Sequence, residues 1–270
     1  MLRQRVITAV VGVLALVIVI FLLPTRIALA VYAIVVLFGA WEWSALARLS
    51  NVWARTAYVA WVALLMVLAS RYAGAPATYR QLLILTAIWW CIALAWLMFA
   101  PQRMSRIAAG IAGVLVLVPA WAAVSQLQVQ SSQGPSLVFY VLCLVWAADI
   151  GAYFVGKRFG RLRLAPRVSP NKTWEGLAGG LAAAGLIAMI GAKIFSAPAV
   201  TFVLLSMAVA VASIVGDLTE SMFKRFAGLK DSGNFIPGHG GLLDRIDSVT
   251  AALPLFVLGL VVLGGRAWSV

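Results

Sequence analysis

Apolar runs of about twenty residues follow one another along almost the whole chain, and few folds accommodate such a succession. Nine segments can be traced: Ile7 to Leu23, Ile27 to Ala47, Ala57 to Ala69, Leu82 to Ala100, Ile107 to Val124, Leu137 to Val155, Leu177 to Ile194, Ala199 to Gly216 and Ser248 to Gly265. Most are long enough, as helices, to cross about 30 Å of hydrocarbon, and the third is the shortest. Of the 270 residues 64% are hydrophobic and 11% charged, against roughly 45–50% and about 25% in soluble domains. So few charges cannot coat a water-soluble surface. The sequence predicts an all-α, polytopic integral membrane protein with about nine transmembrane helices.

The formal net charge is +13, from 21 Lys and Arg against 8 Asp and Glu. In this setting the excess reads as the positive-inside bias of membrane loops, not as a nucleic-acid surface. Placing the N-terminus in the cytoplasm puts sixteen of the 21 basic residues on one side and five on the other, which predicts N-terminus in and C-terminus out. Arg3 and Arg5 ahead of the first run, with Ala28-Leu29-Ala30 behind it, resemble a secretory signal. The small-residue site falls inside the second run, however, so the first segment is read as a retained span. Cys91 and Cys143 both sit within apolar runs and point to neither a disulfide framework nor a metal site.

Polar chemistry is concentrated late in the chain. Seven of the eight acidic residues lie between 149 and 247, five of them between 217 and 247 together with the single histidine, His239. Residues 1–135 therefore read as a scaffold of about five helices. Residues 136–270 read as the working part, four helices with cytoplasmic loops at 156–176 and 217–247. Glu42 and Lys193, near segment ends, are read as snorkelling interface residues outside the site.

If the eighth helix continues past Gly216, then Asp217, Glu220, Ser221 and Lys224 share one face at i, i+3, i+4 and i+7. Asp244 and Asp247 repeat the i, i+3 spacing near the start of the last helix. Carboxylates are the preferred ligands of Mg²⁺, which bridges them to substrate phosphates. Gly240 and Gly241, next to a helix N-terminus, expose backbone N–H groups suited to a phosphate chain. Lys224, Arg225, Lys230 and Arg245 could neutralise charge on a departing pyrophosphate. His239, in its glycine-rich turn, is either a base or a hydrogen-bonder that orders the loop. Asp149 lies inside the sixth apolar segment, where a carboxylate marks a functional site. Together these features predict metal-dependent phosphoryl or nucleotidyl transfer at the cytoplasmic membrane face.

The stretch from Ser221 to Asp247 resembles the signature of the phosphatidate cytidylyltransferases. Its fixed points read Ser221, Lys224-Arg225, Lys230-Asp231, Gly233, Ile236-Pro237, His239-Gly240-Gly241-Leu242 and Asp244-Arg245-Ile246-Asp247. Upstream, Asp149-Ile150-Gly151-Ala152-Tyr153-Phe154 and Ser169-Pro170-Asn171-Lys172-Thr173-Trp174-Glu175-Gly176 are similar to the family's other polar motifs. The resemblance implies a homodimeric enzyme of the bacterial cytoplasmic (inner) membrane that joins CTP and phosphatidate, giving CDP-diacylglycerol and pyrophosphate. It also implies Mg²⁺, with K⁺ as a candidate second metal. On this reading Asp217, Asp244 and Asp247 are metal ligands, and Lys224, Arg225, Lys230, Asp231, His239 and Arg245 serve the transfer. Asp149, Asn171, Lys172, Ser221, Gly240 and Gly241 bind substrate. Two alternatives stay open at this point: a CTP-dependent enzyme acting on an isoprenoid lipid, and an ion-coupled transporter. The latter calls for midplane acids in two matching halves, and no internal repeat is visible.

Overall fold

The computed structural model describes residues 2–72, 75–233, 235 and 240–267. These form nine α-helices and one short hairpin: α1 Leu2–Val17, α2 Thr25–Leu46, α3 Val52–Tyr72, α4 Pro76–Phe99, α5 Arg106–Gln130, α6 Gly134–Phe159, β1 Arg163–Ala165, β2 Ser169–Thr173, α7 Trp174–Ile194, α8 Ala199–Ala227 and α9 Leu243–Ala267. A π-helical turn, Ile18–Leu22, continues α1. Among the described residues eight helices, α2 to α9, are long and apolar enough to span a membrane, and the chain is an integral membrane protein of the expected all-α class.

The apolar runs become helices because, in hydrocarbon, only a helix satisfies every backbone N–H and C=O within the segment. The third segment is longer than its apolar run suggested. Helix α3 begins five residues before Ala57, because Arg55 finds partners there: its Nε donates to Ser44 Oγ at 2.8 Å and Nη2 to the Trp41 carbonyl at 2.9 Å. Ala28-Leu29-Ala30 lies within the continuous helix α2.

Helix α5 is the most enclosed span and α3 the least. Trp43 of α2 packs against α5 and donates from Nε1 to the Ala109 carbonyl at 2.8 Å, while Tyr58 of α3 donates to the Gly110 carbonyl at 2.9 Å. Helices α6 and α7 make the most extensive helix pair, and α8 with α9 the next. Helices α2, α4 and α5 all pack on α8 or α9, so the N-terminal helices and the acid-bearing ones share one core.

The two polar stretches are more structured than loops. Helix α6 runs to Phe159 and α7 starts at Trp174, leaving 160–173 between them. There β1 pairs antiparallel with β2, Arg163 opposite Thr173 and Ala165 opposite Ser169. Pro166 and Pro170 bar a helix here. The Thr173 side chain accepts from Gly176 N at 3.1 Å and so caps α7, and the Glu175 carboxylate accepts from Leu162 N, closing the hairpin base. Likewise α8 continues to Ala227, and the connecting loop is 228–242, not 217–247. Its 29 residues measure about 43 Å, more than the hydrocarbon thickness. The helix is thus long enough to carry its charged last turns past the apolar slab. Gly228 ends the helix at φ 76°, with Leu229 N bonded to the Lys224 carbonyl, a glycine-terminated helix end.

Candidate active site

The continuation of α8 places Asp217, Glu220, Ser221 and Lys224 on one face, as the spacing predicted. Gly216 lets that face meet the start of α9: a Cβ there would lie 2.7 Å from the Asp247 carbonyl oxygen. Close approach of the two backbones is what sets Asp217 beside Asp247, and each carboxylate lies in the other's electrostatic field.

Two lysines balance this acidic row. Lys172 Nζ, reaching from β2, lies 2.5 Å from Asp217 Oδ2, and Ser221 Oγ donates to Asp217 Oδ1 at 3.3 Å. Lys224 is buried and bridges two helices, with Nζ 3.1 Å from Glu220 Oε1 and 2.7 Å from Asp244 Oδ1. Glu220 is itself buried, and its Oε2 has no hydrogen-bond partner among the described residues. Asp244 is fully engaged, since its Oδ2 accepts from Ser232 N at 3.0 Å and Gly241 N at 2.8 Å. Asp247 accepts the Ser248 amide on Oδ1 at 2.7 Å.

The central organiser is a residue that the sequence reading set aside. Glu42 of α2 does not snorkel; it is 4% exposed. Its Oε2 accepts from Leu243 N at 2.7 Å and Ser232 Oγ at 3.0 Å, and its Oε1 from Leu242 N at 3.1 Å. A carboxylate on the first amides of α9 satisfies donors that the helix cannot and meets the positive end of its dipole. Ser232 ties this cap to the site, because its hydroxyl also accepts from Asp244 N at 3.3 Å. Only an unexpected acid late in a span hinted at Glu42; its partners lie 190 to 201 residues away.

Gly241 fits against this knot only because it has no side chain. A Cβ would lie 2.1 Å from Ser232 Oγ and 2.7 Å from both Glu42 Oε2 and Gly233 N. Gly241→Ala is therefore expected to displace the loop, costing about 1–3 kcal/mol of stability and much of the activity. Gly110→Ala, where nothing lies within 4 Å of the new atom, is the control that should leave both unchanged. Thermal melts and turnover of the two variants check this.

The remaining expected residues divide into groups. Asp149, Asn171, Lys172 and Asp217 line one cavity of about 610 Å³ among α6, α7, α8 and the hairpin. Lys230 and Asp231 are exposed in the 228–242 loop, and Arg245 is exposed at the start of α9. Gly240 takes φ 80°, a left-handed conformation natural to glycine. His239, with Ile236 and Pro237, lies outside the described residues. Arg225 departs from the expectation. Though adjacent to Lys224, it points about 100° away around the helix, and its Nε donates to the Val168 carbonyl at 3.3 Å. Asp244 has Lys224 on one oxygen and two amides on the other, so it ties the start of α9 to α8 and to Ser232.

Among the described residues no three Asp, Glu, His or Cys side chains converge as a complete metal ligand set. Mg²⁺ does not require one, since it takes one or two carboxylates and completes its shell with water and substrate phosphate oxygens. The neighbouring Asp217 and Asp247, with the unpartnered buried oxygen of Glu220 beside them, fit that donor chemistry. What the arrangement offers is an acidic centre flanked by two cations, open on one side to a cavity and bounded on the other by Ser232 and Gly241.

A model of the Cytidylyltransferase family matches residues 3–263. The chain belongs to the cytidylyltransferase family. It is 44% identical to a phosphatidate cytidylyltransferase of Pseudomonas aeruginosa, over 95% of this chain and 96% of that one. Against the phosphatidate cytidylyltransferase of Haemophilus influenzae the identity is 40%, over 95% and 97%. A third relative of that name, from Bacillus subtilis, is 44% identical over 135 residues, 47% of this chain and 49% of its own length. The matched region thus takes in α2 with its Glu42 as well as the acid-bearing α8 and the start of α9.

Proposed function

We propose that the chain transfers CMP from CTP to phosphatidate, giving CDP-diacylglycerol and pyrophosphate, at the cytoplasmic face of the bacterial inner membrane. The observation that carries this reading is the single cluster in which the cavity residues Asp149, Lys172 and Asp217 adjoin Asp247, Glu220 and the Lys224–Asp244 bridge. Full-length similarity to two proteins named for that reaction supports the substrates. The basic side of the loops supports the orientation. That the enzyme works as a homodimer rests on the family resemblance.

The chemistry follows from the placement of this chain's own groups. Phosphatidate arrives with its acyl chains in the bilayer and its phosphate in the cavity, where Lys172 and Asn171 meet it. The phosphate is already anionic near neutral pH, so it needs alignment and charge relief more than a base. Asp217 and Asp247 would hold Mg²⁺, which would supply Lewis-acid polarisation and charge relief for the phosphates. A phosphatidate oxygen attacks the α-phosphorus in line, the bond to the β-phosphate oxygen breaks, and pyrophosphate departs. The amides of Gly241, Leu242 and Leu243 are taken by Asp244 and Glu42, so Lys230 and Arg245 are left to offset the charge that leaves. Lys224 keeps Glu220 and Asp244 in register, and so holds the loop over the site.

The test is transfer of label from α-labelled CTP into chloroform-extractable lipid by the detergent-purified chain, with and without phosphatidate and Mg²⁺. Wild type should label lipid only when both are present. Asp247→Asn should lower turnover roughly 100-fold and raise the Mg²⁺ requirement. Label that appears with an isoprenoid phosphate and not with phosphatidate would overturn the acceptor, and unaltered Mg²⁺ dependence in Asp247→Asn would overturn the ligand assignment.

A further inference from the structure

Arg225 carries part of the sequence signature yet lies outside the acidic cluster. It lines a second cavity, of about 280 Å³, at the same end of the bundle, together with Arg48 of the α2–α3 turn and Arg167 of the hairpin. The remaining wall is mostly apolar, with Pro101, Met104 and Phe226 among its residues. Three exposed arginines from three separate elements thus line one cavity with no acidic residue among its walls, and none of them is in an ion pair among the described residues. Two are held in place by carbonyls. Arg48 Nη2 donates to the Phe226 carbonyl, with its guanidinium 4.2 Å over the Phe226 ring, and Arg225 Nε donates to Val168 O.

The backbone at Arg48 adds an independent sign. Helix α2 ends with Leu49 N bonded to the Ser44 carbonyl and Arg48 N to that of Ala45, a termination that ordinarily puts glycine in the left-handed position. Here that position is Arg48, at φ 57°. An arginine held where glycine would be relaxed is backbone strain retained for the side chain. Like charges gathered in one cavity and oriented by neutral acceptors favour an anion between them, and the planar guanidinium fork matches phosphate oxygens.

We propose that this cavity binds a phosphate-bearing anion, at a site separate from the one where CMP is transferred. Two sources share that chemistry: the headgroup of an anionic phospholipid in the adjoining leaflet, and a free polyphosphate. The inference does not depend on the transfer reaction, and the two can fail separately.

The experiment follows the unfolding midpoint of the detergent-purified full chain by tryptophan fluorescence. One arm adds phosphatidylglycerol against phosphatidylcholine. The other adds sodium pyrophosphate in EDTA against NaCl of equal ionic strength. Wild type should be stabilised in one arm, and that arm identifies the source. Arg48→Gln/Arg167→Gln should need roughly 100-fold more of the same anion for the same rise, because two charge-assisted contacts are gone, while its KM for CTP stays unchanged. Arg48→Gly should melt no lower than wild type without anion yet lose the response. Equal responses of wild type and the double variant in both arms would overturn the site. A raised KM for CTP in the double variant would overturn its separateness. If Arg48→Gly melts lower and still responds, Arg48 is only a brace for the end of α8 and the proposal fails.

Discussion

Glu42→Ala is expected to abolish CMP transfer and to lower the unfolding midpoint by several degrees, although it removes a residue from the N-terminal part of the chain, read as scaffold. Alanine strips the acceptor from the amides of Leu242 and Leu243 and from the Ser232 hydroxyl, all in a buried setting. An unsatisfied buried donor costs about 1–3 kcal/mol, and three that share one acceptor will not add simply. The effect on rate comes through Asp244. Ser232 and Gly241 hold its Oδ2, and both sit against Glu42. A shift of about 1 Å in a positioned group can cost roughly 100-fold in rate. Glu42→Gln keeps the shape and one carbonyl oxygen but turns an NH₂ towards a donor, so an intermediate loss is expected. Turnover and thermal melts of both variants check this. Normal turnover in Glu42→Ala would separate the α9 cap from the chemistry.

Lys224→Met should be more damaging still to folding. The lysine stands between Glu220, whose side chain is 2% exposed, and Asp244, at 8%. Removing one member of a buried ion pair leaves an uncompensated charge, a loss of about 3–5 kcal/mol. The telling comparison is Lys224→Met with Glu220→Gln, which takes away both the cation and the more deeply buried carboxylate. Stability should recover in the double variant, by more than the single effects allow. Turnover should not, because Asp244 still lacks its bridge to α8. Strict additivity of the two stability changes would show that Lys224 and Glu220 do not act as a pair.

These two expectations rest on contacts of different visibility in the sequence. Helical spacing alone put Lys224 with Asp217 and Glu220, because an i, i+3, i+4, i+7 pattern is a local property. Glu42 was invisible in its role, since nothing near position 42 names partners that lie 190 residues on. Arg225 was grouped with Lys224 among the cations expected to meet pyrophosphate, while a helix turns neighbouring side chains about 100° apart and its Nε meets the Val168 carbonyl. The spans were legible from apolar runs, and α3 was underestimated where Arg55 and Thr56 interrupt its run. The hairpin escaped notice because two strands of three and five residues, lying among prolines, carry too little pattern to distinguish them from a polar loop. Asp149, Asn171 and Lys172 were recognisable as motif residues, but the cavity that gathers them is a property of the packed helices.

The link from Glu42 to the 228–242 loop also orders events in time. A ribosome adding about 5–20 residues per second completes α2 roughly 10–40 s before the loop it will hold. During that interval a carboxylate waits within a membrane helix with none of the donors it will eventually accept from. A partial chain ending before α9 lacks the Leu243 amide, Asp244 and Asp247, and cannot assemble the acidic centre. The acidic centre is therefore completed only when the last helix joins the bundle.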